Sequence, residues 1–278
     1  SVGWHMRNLN DFRWSWDKQV DFYRQLIWRA PSIEEGTALL SVGEFLPYME
    51  DYPTAFAINT IYSYTSKDGE AGYWYADIED FRGVMGQDPI SRQKYTTYYK
   101  GPSSDSIIVQ FEPENNQCLW VLTPENANSR VMPEMAVDAA KFTQLERINQ
   151  ETLKDVSFLE VLLGGEFSNT NTWCYFYQKS DLAAQYYQWE EVLKYWDEAS
   201  SKGFGPSNGI EMLPFIKAAI YQDDFDRAIT LSKRAKSITE GMKPVLCDLW
   251  DEAHGSLSGG KDFDDGYLEA VELLGCGQ

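Results

Sequence analysis

The sequence predicts two unlike halves: an α/β or α+β domain over residues 1–150, then an all-α region of helical hairpins over 151–278. Three observations carry this. The first half alternates short β-branched and aromatic runs with helical periods. From about residue 151 onward every apolar run falls at helical spacing, and no strand-like run remains. Two stretches of the second half, "QWEEVLKYWDEAS" from 188 and "DFDRAITLSKRAKS" from 224, align at an offset of 36 residues.

Residues 10–29 read as a helix. Phe12, Trp16, Val20, Tyr23 and Ile27 recur at helical spacing, Asn10 or Asp11 can cap the start, and Pro31 stops the run. After Gly36, the apolar "TALLSV" reads as a buried strand over 37–42. "YPTAFAINTIYSY" at 52–64 fits either a helix or a strand, and "YWYADIEDFRGVMG" leans helical. "RQKYTTYYK" and "DSIIVQFE", separated by "GPSS", and then "QCLWVLTP", have the β-branched content of a meander or of a hairpin plus a strand. Residues 134–150 return to a helical pattern.

Composition bounds the function. The 278 residues are 43% apolar and 15% aromatic, far from the composition of a disordered chain. A formal charge of −19 repels phosphate backbones and anionic head groups, which sets nucleic acid aside as a partner. No apolar run approaches the ~18 residues that span a bilayer. The first thirty residues are more basic than the rest, and this reads as a helix with a mixed solvent face or as the juxtamembrane start of a piece of a longer chain. Cys118, Cys174, Cys247 and Cys276 form no C-x-x-C pair, which excludes zinc-ribbon and thioredoxin-type readings. Two disulfides and four buried thiols both remain open.

The offset of 36 pairs Trp189 with Phe225, Val192 with Ala228, Trp196 with Ser232 and Ala199 with Ala235. Upstream it pairs Phe176 with Met212 and Ala183 with Ala219. Each unit is then helix, tight turn, helix, closed by Gly203 and Pro206 or by Gly241 and Pro244. This pattern resembles the tetratricopeptide repeat (TPR) family: an aromatic opens the second helix (Trp189, Phe225), an aliphatic or small residue follows three on, and alanine stands seven further. It departs at Ser180 and Ile216, in the middle of the first helix, where the family favours a small residue. "KPVLCDLWDEAHGSL" is expected to cap the stack.

A second resemblance runs along most of the chain. "FYRQLIWRAPSIEEGTALL", "CLWVLTP" and "WCYFYQKSDLAAQYYQWEEV" look like the soluble region that follows the membrane helices of some large bacterial membrane proteins. The resemblance implies a membrane-anchored parent and a location at the cell envelope, outside the cytoplasmic membrane. A cytoplasmic location is the alternative. The resemblance implies no catalytic residues.

Chemical motifs are sparse. With only His5 and His254, histidine triads and H-E-x-x-H zinc sites are nearly excluded. There is no phosphate loop and no G-x-G-x-x-G, and the three S-x-x-K matches lack companion motifs. "KDFDDG" at 261–266 fits a calcium loop in neither register and reads as a solvated turn. No cofactor and no metal is expected. The candidate ligand-binding residues are Tyr73, Trp74 and Tyr75, between Gly72 and an acidic stretch, where at least one ring is expected to be exposed for a sugar face or a peptide. The function expected is a non-catalytic binding or assembly module that takes a protein or peptide partner. The alternative is a glycan-binding or glycan-processing accessory domain.

Overall fold

The computed structural model describes residues 2–46, 51–65, 68–151, 157–162, 169–257 and 261–277. The chain divides into two compact units, residues 1–127 with 133–170, and residues 128–132 with 171–278. The N-terminal unit carries the sheets. Beyond residue 150 the described elements are helices.

Helix α1 (Val2–Arg29) starts eight residues before the predicted boundary. From Val20 on it buries Phe22, Tyr23, Leu26 and Ile27, whereas Trp4, Leu9, Phe12 and Trp16 are exposed. Strand β1 (Ser32–Ile33) follows Pro31, and β2 (Thr37–Ser41) is buried at every position, as its unbroken apolar run requires of a central strand. The ambiguous segment is helix α2 (Asp51–Ile61), which buries Thr54, Ala55, Ile58 and Ile61 at helical spacing. It crosses over to β3 (Tyr73–Asp77), which runs parallel to β2 with Leu39 opposite Tyr75.

Here the sequence reading is corrected. Residues 73–77 are strand, and only 78–81 coil into a short 3₁₀ turn, capped by Asp77 Oδ1, which accepts from Glu79 N–H at 2.9 Å. Tyr73, Trp74, Tyr75 and Ala76 are all buried, so the segment has no polar face from which a period could be read.

Asn59 locks α2 to β3. Its amide donates to the Ala55 and Tyr73 carbonyls at 2.7 and 2.8 Å, and its oxygen accepts from Gly72 and Tyr73 N–H. The run "RQKYTTYYK" is a hairpin in itself, β4 (Ile90–Lys94) with β5 (Thr97–Gly101), turning through Tyr95 at φ 55. Strand β6 (Ser106–Gln110) joins no meander with that hairpin. It pairs parallel with the other side of β2, and β7 (Trp120–Val121) closes the sheet antiparallel to β6. The sheet order is β3-β2-β6-β7. Helix α3 (Glu134–Ala140) accounts for only part of the helical pattern at 134–150, and β8 (Ile148–Asn149) pairs with β1. Arg147 binds the amino edge of the sheet, donating to Thr37 Oγ1 at 2.7 Å and Asp105 at 2.9 Å.

After α4 (Ser157–Leu162), the second unit is a series of helical hairpins. They are α5 (Trp173–Gln185) with α6 (Trp189–Ser201), α7 (Leu213–Tyr221) with α8 (Phe225–Ile238), and α9 (Met242–Ser256) with α10 (Lys261–Leu274). Helices α6, α8 and α10 begin at 189, 225 and 261, so the 36-residue step extends one unit beyond the two legible in sequence. The local chemistry steps with it. Thr172 and Asn208 cap the first turns by accepting from Tyr175 and Ile210 N–H. In the tight turns Gln188 N–H reaches Ala183 O at 3.0 Å, and Asp224 N–H reaches Ala219 O at 2.9 Å. The left-handed turn residues are Tyr187 and Asp223, at φ 58 and 56.

"KDFDDG" is also corrected: it opens α10 and forms no turn. Phe263, Gly266, Ala270 and Leu274 make its buried stripe, and Gly266 lies so close to the Phe225 ring that a Cβ there would come within 2.7 Å. The expected lone capping helix is therefore one arm of a third hairpin, tied by a disulfide between Cys247 and Cys276. No cysteine of the chain is free.

Candidate functional site

The sheet's strand order reverses at β2: the chain leaves β2 for β3 on one side and later returns to pair β6 on the other. In open parallel sheets the crevice beyond the carboxyl ends of the strands at such a point is the usual ligand site. A cleft of about 450 Å³ lies at the carboxyl ends of β2 and β3, lined by Ser41 and Asp77 as the last residues of those strands. Loop and helix residues Glu44, Leu46, Asp51 and Tyr52 form a second wall, and Arg92, Gln93 and Lys94 of the hairpin form a third.

Strand alternation distributes the three predicted site residues. Tyr73 turns away from the cleft: its hydroxyl donates to Ile33 O at 2.9 Å, and its ring packs on Tyr62. Tyr75, on the same face, packs against Phe22 and Phe45 and reaches the cleft from below. Trp74 faces the opposite side, stacks on Tyr99 at 6.3 Å, and lines the cleft. All three are 2–5% exposed, so the expected open aromatic platform does not exist. Covering by α2 and the hairpin explains the difference, and neither cover is adjacent in sequence. Burial also raises the Tyr73 hydroxyl to about 12, with Glu35 adding to it, and raises Tyr75 and Tyr99 further.

The polar groups are of both signs. Arg92 is held by Asp80 at 2.7 Å and lies over the Phe81 ring at 4.1 Å, while Lys94 lies over Tyr52 at 4.7 Å. Four carboxylates, Glu44, Asp51, Asp77 and Asp80, face these two cations around one space. Desolvation raises the Asp77 carboxyl above its ordinary range; the Glu79 N–H lowers it, and the neighbouring Asp80 and Glu79 add to the rise. One donor is left over. The Trp74 indole Nε1–H is buried with no acceptor among the described residues.

Asp77→Asn tests this balance. The amide oxygen can still accept from Glu79 N–H, and the desolvated charge is gone. A raised folded pKa means that the carboxylate contributes best when protonated and costs stability as pH rises through its titration. The variant should therefore melt about 1–2 °C higher than the parent at pH 7. That advantage should vanish below the carboxylate range, as read by thermal denaturation at both pH values.

Sequence reasoning missed the charged wall. Arg92, Lys94, Asp51 and Asp77 carry no spacing signal, because separate elements bring them together. His254 stacks on Tyr267 at 4.1 Å and meets Asp264 at 3.2 Å, joining α9 to α10. A second hollow, of about 430 Å³, is lined by residues 86–89 and 100–104, mostly glycine, proline and serine. Among the described residues no cluster of His, Cys, Asp and Glu could hold a metal, and no helix is long and apolar enough to cross a membrane. Comparison with known families, with curated proteins and with solved structures found no match to the chain.

Proposed function

We propose that this chain is a non-catalytic binding module whose helical unit, TPR-like in design, docks a protein or peptide segment. The observation that carries the reading is the 36-residue step in the starts of α6, α8 and α10, matched by the caps and left-handed turn residues of the first two hairpins. Hairpins of this kind bury their apolar faces only against one another, and the stack then offers an extended surface to a partner. Residues 171–278 carry 18 acids against 10 lysines and arginines, which favours a basic partner segment. Disulfide pairing belongs to an oxidising compartment and supports a place on the extracytoplasmic side of the cell envelope, within a membrane-anchored parent.

The test is fluorescence polarisation of the whole chain against a library of labelled peptides graded from acidic to basic. Basic peptides should bind, and should weaken as salt rises from 50 to 500 mM. Equal binding of acidic and basic peptides, or of none, would end the reading.

The N-terminal cleft favours a second reading, a glycan-binding module. Aromatic walls with mixed carboxylate, amide and guanidinium groups suit hydroxyl-rich ligands. A glycan array followed by tryptophan fluorescence separates the two readings, since a purely peptide-binding module is silent on it.

A further inference from the structure

The geometry points to the cleft at the carboxyl ends of β2 and β3 as a site for a neutral saccharide, with the Trp74 indole N–H as the donor to one of its hydroxyls. The inference rests on the glycan reading above and assigns it a place, a ligand charge and a residue.

Three features of the cleft choose the ligand class. Its volume, about 450 Å³, is that of a small-molecule site rather than of a peptide groove. Its wall presents acceptors (Glu44, Asp51, Asp77, Asp80) and donors (Arg92, Gln93, Lys94) around the same space. A hydroxyl both donates and accepts, so a ring that carries several can serve both kinds of wall at once. Finally, Trp74 is 2% exposed and its Nε1–H has no acceptor among the described residues. A buried polar group left unpaired costs stability, and Trp74 is one of the residues lining the cleft, so a ligand acceptor that reached the indole edge would satisfy it.

The competing classes fit less well. A phosphorylated or uronic sugar would bring negative charge among four carboxylates with only two cations to offset it. A polyamine would suit the carboxylates, yet an ammonium has no lone pair for the Trp74 N–H. Trp74 itself is covered by Tyr99 and so acts through its edge, not as a stacking platform.

The experiment is isothermal titration of the whole chain with glucose, galactose, mannose, N-acetylglucosamine, maltose and cellobiose. Glucuronate and glucose 6-phosphate serve as anionic arms, and glucosamine and spermidine as cationic ones. At least one neutral sugar should bind saturably and more tightly than every charged arm. Trp74→Phe keeps an apolar ring and removes the donor, and should weaken that binding about tenfold. If Trp74→Phe lowers the denaturation midpoint, Gln93→Ala decides instead. This residue is exposed on β4, the fold does not depend on it, and its loss should weaken binding at least threefold.

A charged arm that binds tightest overturns the ligand class. Silence from every sugar overturns this inference and the glycan reading together. Neutral-sugar binding left unchanged in both variants overturns the cleft alone and leaves the glycan reading standing.

Discussion

Trp250→Ala should cost the helical unit about 3–5 kcal/mol, the range for removing a fully buried large aromatic. Trp250 on α9 has no exposed surface, and its indole N–H donates to Ser232 Oγ at 3.1 Å, while Ser232 in turn donates to Ala228 O. One repeat earlier the position of Ser232 is held by Trp196, which packs on Phe215 at 5.1 Å and Trp173 at 6.1 Å. At this level the indole comes from the second helix (Trp196) at the first junction, where Trp173 and Trp189 also pack on α7, and from the following first helix (Trp250) at the second. Truncation leaves a hole that the flanking helices cannot fill without leaving register. Trp250→Phe keeps most of the volume and should lose less than half as much, because Ser232 retains its carbonyl partner. Urea denaturation followed by far-UV circular dichroism reads both. A Trp250→Ala midpoint equal to the parent's would show that the indole does not hold the junction.

The double substitution Cys247→Ala with Cys276→Ala is the other large effect. The bridge closes a loop with a sequence separation of 29, which in the chain-entropy picture stabilises by about 3.5 kcal/mol. It joins the middle of α9 to the residues just past α10, so its loss should be felt mainly by the last hairpin. Hydrogen exchange should show faster exchange in α9 and α10 than in α5 and α6. The result that contradicts this is uniform protection, with a midpoint within error of the parent. The outcome also bears on compartment: if the last hairpin needs the bridge, the chain is suited to an oxidising environment.

How much was legible in sequence follows from how each element announces itself. The end of α1 was marked by Pro31, and β2 by an unbroken apolar run between turn residues. In the second unit the offset visible in Trp189 and Phe225 paired Val192 with Ala228 and Ala199 with Ala235, and all four are buried. The third hairpin was missed because its second helix opens on "KDFDDG", polar enough to pass for a loop until Phe263, Gly266 and Ala270 are seen to share a side. Strand β3 was misread for the reverse reason. It is buried on both faces, and a strand without a solvent side has no alternation to betray it. The parallel pairing of β2 with β6 was illegible, since nothing local says which strand a distant one will join.

The cleft inherits that difficulty. Residues 41, 77 and 92–94 meet because β2 and β3 end at the same level and the hairpin folds over them. Trp74 was singled out for the wrong property. Its aromatic neighbourhood suggested a displayed ring, whereas the structure covers the ring and leaves the indole nitrogen without an acceptor among the described residues.

The pairing of Trp196 with Phe215 at one junction and of Ser232 with Trp250 at the next has a consequence for assembly. A chain built from near-copies can dock its segments out of step, one place along, with most small alanine contacts intact. Here such a slip would crowd two tryptophans into one slot and leave another slot empty, so the mispaired stack suffers collision and void together. The three segments are thereby given an order, and an excised or duplicated middle segment would have no neighbour shaped to receive it.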